Sequence, residues 1–264
     1  MITLTTDFGT RDAYVAAMKG VMLSIHPEAR FIDITHEISP QDVMEAAFVL
    51  RGAVPHIPDG AVHLVVVDPG VGTDRRPVAV QSGARWFVGP DNGLFPLVMD
   101  NAPPDAVVAL DKPEVWRSRD PSTTFHGRDI FAPVAAHLSA GRPLSDVGTP
   151  IDALKPLRWV HPQASANSVQ GWVVHIDRFG NCITNIRKST LREAFGETRP
   201  AALKCYVGST VLDTIHATYG TVADGEPLLL FGSTGFLEVA VNAGQASELL
   251  NIHKGDTLQL VADA

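Results

Sequence analysis

The sequence predicts an α/β fold: an open, parallel-type sheet flanked by helices, followed by a small antiparallel β domain. Through about residue 155, short β-rich runs alternate with segments whose apolar residues recur at helical spacing. Val62–Val67 is apolar throughout except for His63, the pattern of a strand buried on both faces of a parallel sheet. Beyond residue 170 the helical spacing nearly vanishes, and short strands recur between Gly, Asn and Asp.

The elements follow in order. Ile2–Thr6 is a strand ending in the turn Asp7-Phe8-Gly9. Ala13–Ile25 is a helix carrying Val15, Met18, Val21, Met22 and Ile25 on one stripe, and Pro27 closes it. Phe31–Ile34 is the next strand. Pro40 and Asp42 open a second helix with Val43, Ala46, Ala47, Val49 and Leu50 inward. Val62–Val67, Val78–Gln81 and Trp86–Val88 are further strands, and Ile130–Leu138 is a helix. Such alternation places helices on both faces of the sheet. From Lys155 to Gln170 the chain turns to Pro, Ser, Asn and Gln, as a linker does. Six strands follow, at Gly171–Asp177, Cys182–Ile186, Leu203–Val207, Pro227–Phe231, Phe236–Val241 and Thr257–Val261, with one helical stretch at Ala246–Asn251. They suit a small antiparallel barrel or sandwich. The division is therefore an N-terminal α/β domain over 1–155, a linker over 156–170 and a β domain over 171–264.

Composition bounds the function. The 264 residues are 45 % hydrophobic and 19 % charged, which suits a globular protein with a real core. Net charge is −8 with no basic stripe, so a nucleic-acid backbone is not the expected partner and a small molecule is. No apolar run approaches the roughly 20 residues that span a bilayer, and the N-terminus lacks a basic signal region. A cytoplasmic protein is expected, with no membrane partner. Cys182 and Cys205 are too few for a disulfide framework and lack metal-ligand spacing. No Gly-x-x-x-x-Gly-Lys loop, His-Glu-x-x-His or paired Cys-x-x-Cys occurs, so neither a metal nor a cofactor is expected.

The densest motif is Val65-Val66-Val67-Asp68-Pro69-Gly70-Val71-Gly72-Thr73-Asp74-Arg75-Arg76. A buried strand ends in a carboxylate, then a glycine loop, then two arginines. Ligands of open α/β sheets bind beyond the carboxyl ends of the strands, which is where Asp68 falls. Alone, Asp68 serves equally well as a turn former before Pro69, with Arg75 as its solvated partner. Thr123-Thr124-Phe125-His126-Gly127-Arg128-Asp129 leads into a helix, so His126 can project into a cleft and titrate near neutrality, or the segment simply caps that helix. Asp7 has the placement of Asp68 and suits a ribose diol or, alternatively, a helix N-cap. Gly89-Pro90-Asp91-Asn92-Gly93-Leu94 is a turn by composition. Polar turns recur in the second half at 177–185, 231–238 and 241–243; they suit either a ligand-binding rim or plain β-turns.

Taken together, seven colinear segments resemble the S-adenosyl-L-methionine hydroxide adenosyltransferases, relatives of the fluorinases and chlorinases. The segments are TTDFGTRDAYV, DITHEISPQDV, VVVDPGVGTDRR, VGPDNGL, TFHGRDIFAPVAAHL, IDRFGNCITNI and GFLEVAVNAGQASELL, and they span nearly the whole chain. The resemblance implies a Rossmann-like N-terminal domain, a C-terminal β-barrel and a homotrimer with sites at subunit interfaces. It implies hydrolysis of S-adenosyl-L-methionine to adenosine and methionine, with Asp68, Arg75 and His126 as the catalytic set. Asp7 becomes the ribose ligand. Phe8, Gln41, Asp177, Asn181, Ser233, Phe236, Glu238, Asn242 and Ala243 become the other substrate contacts.

The halide-using relatives carry Tyr at the positions of Asp68 and His126, and the fluorinase carries Ser at Gly127 and Trp at Gln41. A carboxylate at 68 repels a halide, so water is the expected nucleophile. Methionine leaves a sulfonium as a neutral thioether and needs no general acid. Asp68 and His126 are both placed to deprotonate a water, and Arg75 to stabilise the hydroxide that develops. The rival readings are a halogenase, a non-catalytic S-adenosyl-L-methionine sensor, and a metal-dependent phosphoesterase using Asp7 and Asp12.

Overall fold

The computed structural model describes residues 1–100, 102–156, 161–196 and 203–262. They divide into two compact units, Met1–Arg158 and Trp159–Ala264.

In the first unit the order is β1 (Ile2–Thr6), α1 (Tyr14–Ile25), β2 (Phe31–Thr35), α2 (Val43–Ala53), β3 (Val62–Val66), β4 (Pro77–Ser82), β5 (Arg85–Pro90), α3 (Leu94–Val98), β6 (Ala106–Ala109), α4 (Ala132–Ser139) and β7 (Thr149–Pro150). The sheet order is β2-β1-β3-β5-β4-β6-β7. The first four strands in that order are parallel, whereas β4, β6 and β7 join antiparallel, so the expected parallel-type sheet is mixed. The reason is local: Ser82-Gly83-Ala84 is too short for a crossover, and Gly83 at φ +57° turns β4 back as a hairpin onto β5.

Alternation along the strands decides the layers. Ile2, Leu4, Val62, Leu64 and Val66 face a core completed by Met18 and Met22 of α1 and by Val134, Ala135 and Leu138 of α4. Thr3, Thr5, His63 and Val65 point to the opposite face, and α2 and α3 pack against each other. Asp42 caps α2 as its position suggests, accepting from the Glu45 N–H at 2.9 Å.

The second unit contains β8 (Gln163–Ala164), β9 (Ser168–Ile176), β10 (Cys182–Arg187), α5 (Lys188–Phe195), β11 (Leu203–Val207), β12 (Thr210–Leu212), β13 (Ile215–His216), β14 (Pro227–Phe231), β15 (Phe236–Val241), α6 (Ala246–Leu249) and β16 (Thr257–Ala262). Its sheet runs β12-β11-β16-β9-β10-β15-β14-β13, with β8 beside β9. These pairings are antiparallel except β13 with β14. Of the expected linker, 157–160 lie outside the described residues, while β8 and the start of β9 fall within it. Helix α5 appears where none is expected: Leu191, Ala194 and Phe195 recur at helical spacing, but three residues make a short stripe, and the core takes them up only partly. Both cysteines are free and buried, and burial pushes their thiols up to about 12. No helix among the described residues is long and apolar enough to cross a membrane.

His63 is an ionisable side chain buried inside the parallel sheet. It is fully buried, bonded through Nδ1 to Thr3 Oγ1 at 2.8 Å and stacked on Phe87 at 5.0 Å between ring centroids. Burial first, and the Arg85 charge second, push its pKa down to about 4. The unfolded chain takes up this proton near pH 6.5 and the native state only near pH 4, so stability falls as pH drops through that window. The loss should be about 3 kcal/mol. Urea denaturation of the wild type and His63→Asn at pH 7 and pH 4 checks this; the variant should lose correspondingly less between the two.

Candidate active site

Register places the first two carboxylates. Thr6 pairs with Val66, so β1 and β3 end side by side; Asp7 follows one strand end and Asp68 lies two residues past the other. The loop after β2 brings Pro40 and Gln41, and the segment before α4 brings Thr124–Gly127. Together these line a cavity of about 300 Å³ beyond the carboxyl edge of the parallel strands. Phe8, Tyr14 and Phe125 form its aromatic wall, with ring centroids 5.2–5.9 Å apart. Asp7 accepts the backbone N–H of Gln41 at 2.7 Å and does not cap α1, whose N-cap is Ala13. Gln41 holds this position with φ at +67°.

Arg75 joins the remaining two residues. Its Nε donates to both Asp68 oxygens at 2.9 Å, its Nη2 donates to Asp68 Oδ2, and the same nitrogen lies 2.7 Å from His126 Nδ1. The side chains of Arg75 and Asp68 are only 7 % and 6 % exposed, so the pair is not the solvated one that sequence alone allows. The Phe131 ring lies 5.1 Å from the guanidinium carbon. A guanidinium has donors only, so His126 Nδ1 must accept and the neutral ring carries its proton on Nε2. Burial first, and then the Arg75 charge, hold the His126 pKa below its ordinary value, although Asp68 and Asp129 pull the other way.

Two glycines permit this contact. Gly72, at φ +76°, lies so close to the Thr123 carbonyl that an added Cβ would stand 2.7 Å from its oxygen. A Cβ on Gly127 would stand 3.2–3.3 Å from Val66, Met18 and Phe125. His126 immediately precedes a single π-turn, Gly127–Phe131. Asp129 within it is buried and accepts from Arg128, Arg117 and the Ser122 N–H, which hold its carboxyl at about 2.

In the second unit, Asp177, Asn181, Ser233, Glu238 and Ala243 line a cavity of about 770 Å³. Asp177 organises its rim, accepting the N–H groups of Phe179 and Asn181 at 2.9 Å and the Asn181 side-chain amide at 3.0 Å. Glu238 accepts from Tyr219 Oη. Burial raises the Glu238 pKa, and Asp177 adds to the rise. Phe236 and Asn242 are not brought to this lining. Phe236 is buried under the Arg187 guanidinium, 5.0 Å away, and Asn242 braces the turn before β14 through Val222 O and Asp224. Sequence reasoning missed Tyr14, Phe125 and Tyr219. The first two sit inside motifs that were already legible, whereas Tyr219 lies in a one-turn helix with no local signal.

Among the described residues, no three His, Cys, Asp or Glu side chains converge as a metal site. The sequence model of the SAM hydroxide adenosyltransferase N-terminal domain matches residues 2–148, and that of the C-terminal domain matches 171–259. The chain belongs to this family. It is 43 % identical to an (R)-S-adenosyl-L-methionine hydrolase of Salinispora tropica, over 99 % of this chain and 97 % of that one. It is 30 % identical to a fluorinase of an Actinoplanes species, over 98 % and 96 %. An uncharacterized conserved protein of Thermotoga maritima has the same fold, with a TM-score of 0.92, 38 % identity, and coverage of 99 % of this chain and 100 % of that one. The hydrolase match is the stronger of the two activities among these relatives.

Gly72→Ala should strain the backbone and drive Cβ into the Thr123 carbonyl, lowering stability by about 1–3 kcal/mol. Thermal and urea denaturation measure this, and an unchanged midpoint would contradict the close approach.

Proposed function

We propose that this protein hydrolyses S-adenosyl-L-methionine to adenosine and L-methionine by attack of water on the ribose C5′ carbon. The observation that carries this is the buried chain Asp68–Arg75–His126 at the edge of the small cavity, in a member of this family. The names of its hydrolase relatives specify the R form of the substrate, and the same form is proposed here.

The chemistry follows from the donors and acceptors. Two carboxylates, Asp7 and Asp68, line the cavity, which suits a sulfonium cation and disfavours a halide. Crowding at Gly127 also leaves little room for the Ser that the fluorinase carries there. The Nδ1 lone pair of His126 is committed to Arg75, so Asp68 takes the water's proton and His126 Nε2–H donates to the oxygen that becomes hydroxide-like. Arg75 stabilises the charge that develops. Methionine departs as a neutral thioether, so the reaction calls for no acid catalyst at sulfur and no cofactor.

Asp7 is proposed to hold the ribose diol, with Phe8 and Gln41 beside it. Asp177, Asn181, Ser233, Glu238 and Ala243 are proposed to hold the methionine and adenine ends, with Phe236 and Asn242 supporting that rim. We further propose the two-domain division at the 156–170 linker, a cytoplasmic location and a homotrimer in which one subunit's first domain meets its neighbour's second. A closed C-terminal barrel is supported by β12, at one end of the second sheet, lying near β14, the last strand but one at the other.

Incubation in ¹⁸O-water tests the reaction: label should appear in the adenosine 5′-hydroxyl, and unlabelled adenosine would exclude attack at C5′. Asp68→Asn should lower kcat by about 10²–10⁴-fold, the range of lost general-base help. Turnover should fall on acidification below pH 6.5, because protonated His126 can no longer accept from Arg75; a pH profile of kcat reads this limb, and His126→Asn should abolish it.

A further inference from the structure

The loop from Val67 to Arg76 carries Asp68 near its start and Arg75 near its end, and one dipeptide ties down both ends. Asn92 Nδ2 donates to the Val67 carbonyl oxygen at 2.9 Å, one residue before Asp68. Its Oδ1 accepts the Leu94 N–H at 3.3 Å, which fixes the orientation of the amide. β3 and β5 pair from Val62 opposite Trp86 to Leu64 opposite Val88, and this side chain extends the link between the two strands beyond those residues. Asp91, 3 % exposed, accepts from Arg76 Nε at 2.9 Å and from Arg76 Nη2, one residue past Arg75. The Asp91 N–H also donates to the Arg76 carbonyl at 2.9 Å, and Oδ1 accepts the Lys155 N–H at 2.7 Å.

This is more than a turn needs. Gly93, at φ +92°, already supplies the left-handed residue that a Pro-Asp-Asn-Gly turn uses. A buried carboxylate is costly unless its oxygens are engaged; Asp91 Oδ2 is engaged by Arg76 at the end of the loop and Oδ1 by the Lys155 N–H.

We infer that Asp91 and Asn92 are positioning residues for the hydrolytic centre, holding Val67 and Arg76 so that Arg75 reaches Asp68 and His126 together. Neither is among the residues lining the small cavity, so they act through the loop. The inference rests on the proposed hydrolysis only for its kinetic consequences.

Two variants separate positioning from plain stability. Asn92→Asp keeps the side-chain shape while replacing the donor facing the Val67 carbonyl with an acceptor. Arg76→Gln removes the cationic partner of Asp91 at a side chain that is 45 % exposed, where substitution is compatible with folding. Each is made in the wild type and in Arg75→Ala. In the wild type, kcat for adenosine release should fall at least about tenfold with KM nearly unchanged. In Arg75→Ala the further fall should be under about twofold, because the group being positioned is already gone. An equal fall in both backgrounds, or one confined to KM, overturns the inference.

An NMR titration of the His126 ring, assigned with His126→Asn, needs no turnover. Arg75, Asp68 and Asp129 are the charges that act on this ring. With Arg75 displaced, His126 should titrate at higher pH in both folded variants than in the wild type, and an unchanged titration overturns the inference. If the wild type releases no adenosine, the functional reading fails, while the titration still decides the positioning.

Discussion

A guanidinium that is almost wholly buried constrains everything near it. Removing an ion from water costs several kcal/mol unless its hydrogen bonds are replaced, so Arg75 is tenable only with Asp68 on one side and His126 on the other. The loop after β3 must therefore double back tightly. Gly70 lies beneath the Arg75 side chain, where an added Cβ would stand 3.1 Å from Cγ, and Gly72 meets the Thr123 backbone. The segment carrying His126 must in turn approach Val66 closely enough that only glycine is comfortable at 127. Removing Arg75 would leave Asp68 as an uncompensated buried charge, so the proposed chemistry and the local folding share one interaction.

The polar core of the first unit obeys the same rule at lower intensity. Thr3 answers His63 Nδ1, and Thr6 answers His36 Nδ1, each at 2.8 Å across neighbouring strands. Such pairs replace water bonds inside a sheet that otherwise packs on an apolar core. In the second unit, Asp177 performs a comparable task at a turn. Its carboxylate satisfies the N–H groups of the β9–β10 connection, so the rim of the larger cavity is fixed before any ligand arrives.

Much of this was legible in the chain. The apolarity of Val62–Val67, broken only by His63, announced a strand buried on both faces, and Asp68 at its end marked a candidate site, because strand direction puts that residue at the edge where such sheets bind ligands. Asp42 announced a helix start by its side-chain chemistry. The antiparallel strands β4, β6 and β7 were not announced as such, since alternation and length do not encode strand direction. Helix α5 went unannounced because its stripe, Leu191, Ala194 and Phe195, is only three residues long, although its spacing is helical. Tyr219 became visible as a partner of Glu238 only when its one-turn helix packed beside β15.

The sequence by itself determined which residue types were available and where along each element they fell: a carboxylate after β1, another after β3, an arginine seven residues later, a histidine before a glycine. Those are local facts, set by strand period, turn chemistry and side-chain pKa. The tertiary structure decided which of them meet. It turned the Asp68–Arg75 pairing from a solvated contact into a buried one, and gave His126 Nδ1 to Arg75 and thereby the ring proton to Nε2. It also gave Asp91 and Asn92, otherwise unremarked turn residues, a hold on both ends of the loop between β3 and β4. The physical reason is that desolvation and hydrogen-bond geometry depend on what packs around a group, and that environment comes from segments 50 or more residues away, as His126 is from Arg75.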